Sequence, residues 1–587
     1  MAHKEAGSTS EVRWIPDNTL SDRWPFWTRA NVGEVLPDPP SPLLWDLVWE
    51  PGVLKGFYDC AVQRFGYGDV GLDETRPEVS GIFGGYAYLC ASNFRLFGVR
   101  TPGMTAEGID MAYFGDHPDV PPYVRQDWHE NAESTTVLTG WLGWVMGTME
   151  QDELEADRLD GLAARASRPD LATLSDHELV DRARSFAPMI RRMFDQHVNQ
   201  GGAASIGLGV LGQVTAALGQ PESAMKLIAG LGGVDSAAPS YAMWDISRTI
   251  RSSVSLAALF DKGPVGLQDR LIASAGEDAD AAELLGQLDS FLRDFGSRGP
   301  NEWDIYAHTW ETNPDLVWAA VDRMRLADDE ASPSREHTAR LAEREELSAQ
   351  MIAALAADPE TQAQFQAALA SAKVFVPGRE RSKTTVIRVI HEVRMAVWEL
   401  GRRAAEAGLI DNARDLCLLF GDEVDAYVAG DDIGMAETVV ERQAHMAWLA
   451  TLEPPFIING SVPPNTEWST RGQVDVDPAA SGDQLIGNPG CPGTHRGVAR
   501  IVLDPSDPTV LEPGDVLIAP MTDPAWTPLF VAAGAVVVDV GAALSHAVIV
   551  SRELGIPCVV SATDATSKIP DGAEVEVDGT TGIVTIL

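Results

Sequence analysis

The stretch Val536–Pro557 reads VVVDVGAALSHAVIVSRELGIP. Its β-branched opening, Val536 to Val538, suits a strand buried on both faces, and Asp539 and Gly541 end it. After Ala542, Ala543 and Leu544 come Ser545 and His546, then apolar residues at helical spacing that stop at Gly555 and Pro557. Ser545 suits an N-cap, Gly555 the position just past the helix, and Pro557 the punctuation beyond it. Strand, turn and helix in that order predict an α/β unit with the His546 imidazole in a first helical turn. Unpaired N–H groups and the helix dipole there favour an anion. Two readings fit this stretch alone: an imidazole that carries a phosphoryl group, and a core histidine near a helix start.

Working outward, 587 residues suffice for roughly two to four domains with sizeable cores. With 45% hydrophobic and 22% charged residues, the composition is that of a globular chain and not of a disordered one. A formal net charge of -42 repels nucleic acid and anionic membranes, which argues against both as partners. It also means that any phosphate site must be a local cluster of cations. Cys60, Cys90, Cys417, Cys491 and Cys558 are far apart without a CxxC pattern, which points to a reducing compartment and away from a structural metal or disulfide framework. The start, MAHKEAGSTSEVRW, has no apolar signal region. Leu529–Val550 is apolar enough to suggest a membrane span, but Asp539, Ser545 and His546 interrupt it. A cytoplasmic protein is expected.

Three segments follow from texture. Residues 1–452 are expected to form a mostly helical substrate-binding, phosphoryl-accepting domain. Its first fifty residues, including TRANVGEVLPDPPSPLLW (Thr28–Trp45), are too rich in proline for a long helix and read as an extended segment pinned by Trp24, Trp27 and Trp45. Helical spacing recurs over Leu154–Ala166, Asp176–Val198 (divided or kinked at Pro188), Ala281–Phe295, Asn313–Arg325, Ser334–Lys373, Lys383–Ala407 and Gly434–Leu452. Residues 453–486 have no periodicity and read as a flexible linker, whose roughly 30 residues reach up to about 100 Å when extended. Residues 487–587 read as a small α/β domain. Strands are expected near Gly497–Leu503, Asp515–Ala519, Ala535–Asp539, Cys558–Ser561, Glu574–Val577 and Gly582–Ile586, with helices near Pro524–Ala533 and Ser545–Leu554.

The last hundred residues resemble the swivelling phosphohistidine domain of the phosphoenolpyruvate-utilising enzymes. The resemblance rests on GNPGCPGTHRGVARIV (Gly487–Val502), GDVLIAPMTDPAWTPLF (Gly514–Phe530), VVVDVGAALSHAVIVSRELGIPCVV (Val536–Val560) and DGAEVEVDGTTGIV (Asp571–Val584). It implies that His546 is the residue that becomes phosphorylated. More loosely, the rest resembles the substrate domain of the dikinase-like antibiotic phosphotransferases. The matching stretches are TRANVGEVLP (Thr28–Pro37), FGSRGPNEWDIYAHTWETNPDLV (Phe295–Val317), RERSK (Arg379–Lys383) and AGLIDNARDLCLLFGDEV (Ala407–Val424). The resemblance implies that Arg379 and Lys383 assist phosphoryl transfer from histidine to substrate. Their spacing of four places both on one helix face, where they can grip one phosphoryl group. Arg388 and Arg394 extend this cationic run, which by itself also fits a solvated basic face.

Two departures qualify the likeness. Ser297 stands in GSRGP where the family commonly has His. The chain also lacks a glycine-rich phosphate loop with a lysine, and Arg251–Phe260 (RSSVSLAALF) resembles an ATP-grasp motif only superficially and reads as helix. The resemblance therefore implies a separate ATP-grasp subunit that binds ATP and Mg²⁺, with no cofactor held tightly by this chain. The acceptor is expected to be a small hydroxyl compound, in the first place a phenol. Trp141, Trp144, Met146, Met243 and Trp244, with Trp303, are candidates to line an aromatic pocket, each with ordinary core as the alternative. Glu302 and Asp304 are candidates for a general base. The rival functions are a component of a rifampicin-like antibiotic phosphotransferase and a phosphocarrier or regulatory module without a small-molecule acceptor.

Overall fold

A computed structural model describes residues 12–115, 117–263, 265–329, 332–471, 478–503, 511–523, 526–541 and 545–587. The amino-terminal part is mostly helical and carries one small sheet, in which β1 (Phe26–Thr28), β2 (Ser80–Phe83) and β3 (Tyr86–Leu89) pair with β4 (Ile457–Asn459) in the order β2-β3-β1-β4. Trp24 and Trp27 are buried against this sheet's core and Trp45 against a neighbouring one, as the tryptophan spacing suggests. The proline-rich segment is more helical than expected. A short turn of helix, α1, covers Val32–Val35, and a helix that starts at Pro42 continues through a π-helical stretch, Trp45–Leu54, with Pro51 inside it. Wider turns tolerate a missing N–H that a regular α-helix does not.

Pro188 does divide the expected Asp176–Val198 helix. One helix ends at Ser185, and α2 (Ala187–Ala217) takes the proline into its first turn, where no N–H is needed. Next come α3 (Ala238–Ser252), α4 (Asp315–Leu326) and α5 (Pro333–Ala354). The expected Ser334–Lys373 helix is in fact broken at 355–358. From there α6 runs unbroken over Pro359–Glu406, with Pro377 inside it. Arg379 and Lys383 thus lie in the middle of a helix and not before one. This section of α6 packs along α2, so closely that a Cβ at Gly378 would come within 2.5 Å of the Gln200 Oε1 and that side chain would have to shift. The Arg251–Phe260 stretch is helical but interrupted at Ser253, whose hydroxyl caps the next turn.

The carboxy-terminal sheet has eight strands in the order β5-β12-β11-β7-β8-β9-β10-β6. They are β5 (Gln484–Ile486), β6 (Asn488–Cys491), β7 (Thr494–Ile501), β8 (Val516–Ala519), β9 (Ala535–Val538), β10 (Cys558–Val560), β11 (Glu574–Asp578) and β12 (Ile583–Ile586). Strands β7 to β10 pair in parallel and the outer ones antiparallel. Alternate residues of β8 and β9 serve two cores: Leu517, Ala519, Val536 and Val538 on one face, Val516, Ile518, Ala535 and Val537 on the other. The helices among the described residues are α7 (Thr527–Ala532), α8 (His546–Leu554), with Gly555 left-handed at φ 70°, and a single turn at Ala565–Lys568. Of the expected Pro524–Ala533 helix, 524 and 525 lie outside the described residues, as do 542–544 of the opening stretch.

The expected linker 453–486 is largely folded. Besides β4, Trp468 is buried in an amino-terminal core, and Arg471 donates through its backbone N–H to the Thr451 carbonyl (2.8 Å) and through Nη1 to Asp38 (2.8 Å). On the other side, the Ala479 N–H bonds the Lys568 carbonyl at 2.8 Å, and β5 belongs to the second sheet. Residues 472–477 lie outside the described residues. Extended three-residue strands at sheet edges carry too little periodicity to be told from a linker. No described helix is long and apolar enough to cross a membrane, and all five cysteines are free and buried.

Candidate active site

Helix α8 starts where the β9 chain leaves the carboxyl edge of the parallel strands, the place where such sheets bind ligands. Ser545 occupies the N-cap position with extended backbone, but its hydroxyl makes no capping bond. His546 is buried, with its ring edge-on to Phe530 at 5.8 Å. Both ring nitrogens have hydroxyl partners from the same domain: Thr522 Oγ1 at 3.0 Å from Nδ1 and Thr527 Oγ1 at 3.1 Å from Nε2. These two threonines orient the imidazole, and the sequence offered only their membership in a matching stretch.

The domain that carries His546 is seated on the helical one. Ile549 packs with Val234 and Ala237, and Glu553 accepts the Leu231 N–H (3.3 Å) and faces His337 Nδ1 (3.4 Å). Arg323 pairs with Glu512 at 3.5 Å, and the Asn301 N–H donates to Asp523 at 3.1 Å. Seated this way, His546 lies within the electrostatic field of three cations from the other domain. Burial first, then Lys383, Arg298 and Arg379, hold its imidazole well below the ordinary value. The ring is therefore neutral near physiological pH, with one nitrogen donating to a threonine hydroxyl and the other accepting from one, and it lies in a field of positive charge. A phosphoryl group carried on this ring would sit beside cations able to neutralise its oxygens.

The cations are built in place. Arg298 is buried, donates from Nε to Glu302 (2.7 Å) and from Nη1 to Thr384 (2.8 Å), and its Nη2 has no hydrogen-bond partner among the described residues. Lys383 Nζ lies 3.7 Å from the other oxygen of Glu302. Arg379 pairs with its neighbour Glu380. Burial raises the Glu380 carboxyl, but Arg379 and Lys383, with the Ser236 hydroxyl, outweigh it and keep the group below its usual value. Arg394 belongs to the frame. It is fully buried and donates to the Glu302 and Asp304 carbonyls at 2.7 and 2.9 Å, fixing the loop that holds Glu302.

Neither expected base is free to act. Glu302 is tied to Arg298 and Lys383. Asp304 is saturated, because it accepts the Ser41 N–H (2.8 Å), the Ser41 hydroxyl (2.6 Å) and the Tyr306 N–H (2.9 Å). Asp304 fastens a turn, and Asp304→Asn is expected to cost about 1–3 kcal/mol of stability, read as a fall in urea midpoint. The aromatic pocket also dissolves. Trp141 is buried among Phe65 and Phe97, with its Nε1 donating to Asn199 at 2.8 Å. Met146 packs against that core, and Trp144 is half exposed on Phe375. Met243 and Trp244 belong to a different core, with the Arg248 guanidinium over the Trp244 ring at 4.0 Å. Apolar residues at helical spacing mark core far more often than ligand.

Two groups that periodicity could not reveal complete the site. His197 on α2 is held to about 3 by burial and by Arg379 and Lys383, with Nδ1 2.9 Å from the Ser382 hydroxyl, while Trp303 lies beside it at 6.0 Å between ring centres. Glu34 on α1 faces the His546 backbone N–H, and burial pushes its carboxyl up to about 7 against the pull of Arg379 and Lys383. Glu34 lies within TRANVGEVLP, the one signal that pointed near it.

Comparison with known proteins finds two separate matches along the chain. A model of the rifampicin phosphotransferase fourth domain matches residues 196–380, and one of the mobile domain of PEP-utilising enzymes matches residues 511–582. An uncharacterised protein of Mycobacterium tuberculosis is 33% identical over 366 residues, 62% of this chain and 38% of that protein. A rifampicin phosphotransferase of Streptomyces sviceus is 31% identical over 310 residues, 52% of this chain and 35% of that protein. The prodigiosin synthesizing transferase PigC of Serratia marcescens is 24% identical over 608 residues, 98% of this chain and 64% of that protein. This chain spans less than two thirds of each of these relatives.

Proposed function

We propose that this chain, which belongs to the phosphoenolpyruvate-utilising enzymes, is the phosphohistidine-bearing part of a dikinase-type phosphotransferase. The observation that carries this reading is the convergence of His546, from one domain, with Arg379, Lys383 and Arg298, from the other. The neutral imidazole takes a phosphoryl group while its domain is away. It then returns to the cations, which neutralise the phosphoryl oxygens while a substrate hydroxyl attacks in line. Thr522 and Thr527 fix the ring, and one ring N–H keeps the departing imidazole neutral.

The donor is proposed to be ATP with Mg²⁺ on a separate ATP-grasp subunit, and the setting the cytoplasm. The acceptor is proposed to be a hydroxyl of a small aromatic molecule, a phenol in the first instance. The likeness to a prodigiosin synthesizing transferase, which extends over 98% of this chain, favours a second reading, in which the phosphoryl group activates an intermediate in the synthesis of a small molecule. Under either reading the purified chain alone turns over no ATP, and adding the ATP-grasp subunit starts turnover and labels His546. Substantial ATP hydrolysis by the chain alone, followed by phosphate release, rejects the division of labour between two chains.

A further inference from the structure

Transfer to a hydroxyl needs a group to receive its proton, and the carboxylates around His546 differ in their freedom to do so. Glu302 is held by Arg298 at 2.7 Å and Lys383 at 3.7 Å, Glu380 by Arg379, and Asp304 by Ser41 and Tyr306. Asp235 lies 3.8 Å from Arg381. Glu34 forms no ion pair of this kind among the described residues, yet it lies within the field of Arg379, Lys383 and Glu380 from α6 and against the first N–H of α8.

Its position is built and not incidental. Asn31 enters α1 with φ 67°, a left-handed conformation that asparagine tolerates better than most residues. The Thr28 hydroxyl accepts the Ala30 N–H at 2.9 Å. Beneath the turn the buried Arg29 donates to the carbonyls of Ala87 (2.9 Å), Leu36 (3.1 Å) and Pro37 (3.1 Å), tying both ends of the Glu34 segment to β3. Arg29 thus holds the four-residue helix that carries Glu34 in place on β3, and the Glu34 carboxyl bonds the backbone N–H of His546 on the other domain.

We propose that Glu34 is the general base that accepts the proton of the attacking hydroxyl. This rests on the phosphohistidine reading above. In the step, the bond from phosphorus to the imidazole nitrogen breaks and its electron pair returns to that nitrogen. The substrate oxygen bonds to phosphorus, and its proton passes to Glu34. The other ring nitrogen keeps its proton, so imidazole leaves neutral and the balance closes. A carboxyl held near 7 suits this role, being ionised enough to accept a proton and basic enough to drive the transfer. A phosphoryl group on His546 adds negative charge nearby and strengthens Glu34 as a base until transfer is complete.

The test uses the full chain phosphorylated with potassium phosphoramidate, a small donor that needs no partner subunit. Phosphorus NMR follows release of the phosphoryl group to water and to added phenol, from about pH 6 to about pH 9, with urea-unfolded phosphorylated chain as the uncatalysed reference. Wild-type release is expected to rise with pH through the neutral range. Glu34→Gln is expected to load equally, release about a hundredfold or more slowly, and lose the pH dependence, while Glu34→Asp falls between. Glu34→Gln release within about twofold of wild type at every pH overturns the role of Glu34 alone, as does wild-type release no faster than the unfolded reference. Failure of His546 to take up phosphoryl in the wild type overturns the phosphohistidine reading and this role with it.

Discussion

Lys383→Ala is expected to leave His546 able to take up a phosphoryl group and to slow its onward transfer by about a hundred- to a thousandfold. Lys383 belongs to the helical domain and His546 to the mobile one, so the lysine matters only while the two are docked. Its ammonium lies 3.7 Å from a buried Glu302 that is itself fixed by Arg298, so the charge is preorganised at the point of transfer. Removing it raises the barrier to one half-reaction only. Chemical loading of His546 in wild type and variant, followed by product formation with phenol, separates the two halves. Unchanged product formation rejects the role of Lys383 in transfer. Reduced loading with normal transfer places the lysine on the donor side.

Gly401→Ala is expected to destabilise the helical domain by about 3 kcal/mol or more, at or beyond the upper end of ordinary overpacking. Gly401 lies on the face of α6 that receives the turn at Ala413, and a Cβ there would sit 1.9 Å from the Ala413 carbonyl oxygen. No side chain can give way, so the backbone of the turn 413–418 must move, and this turn carries the buried Leu416, Cys417 and Leu418. Gly212, on α2, has nothing within 4 Å of the same position. Gly212→Ala is expected to stabilise by up to about 1 kcal/mol through helix propensity alone. Urea midpoints of the two variants should move in opposite directions, and equal shifts refute the steric account.

The parts of this fold that periodicity encodes are legible in the sequence. The buried parallel strands β8, β9 and β10 are runs of β-branched and small residues bounded by turn signals, and α8 is marked at both ends. Edge strands are not legible. Asn488–Cys491 reads NPGC, and Ile457–Asn459 is three residues between prolines and a glycine, so neither alternates long enough to declare itself. The continuity of α6 through Pro377 is hidden because a proline argues locally for a break, and only the packing of α6 on α2 overrides it. In the site, His546, Arg379 and Lys383 are marked by motif likeness, while Glu34 and Arg298 reach the histidine, and His197 reaches Arg379 and Lys383, only through tertiary contacts spanning hundreds of residues. The tryptophans mislead for the converse reason: their size announces burial, and burial is what they do.

The folded state of residues 453–471 and of β5 shortens the tether. From Arg471, fastened to Thr451 and Asp38, to Ala479, fastened to Lys568, there are eight peptide steps, at most roughly 28 Å fully extended. In the proposed cycle, eight peptide steps let the domain turn about its pivot more than travel, and the donor comes to the chain. In that cycle so short a connection keeps the histidine at a local concentration on the order of millimolar above the proposed acceptor site. In the proposed cycle the acceptor therefore enters only while the domain is turned away, so that charging the histidine and admitting the substrate share one interval of the cycle.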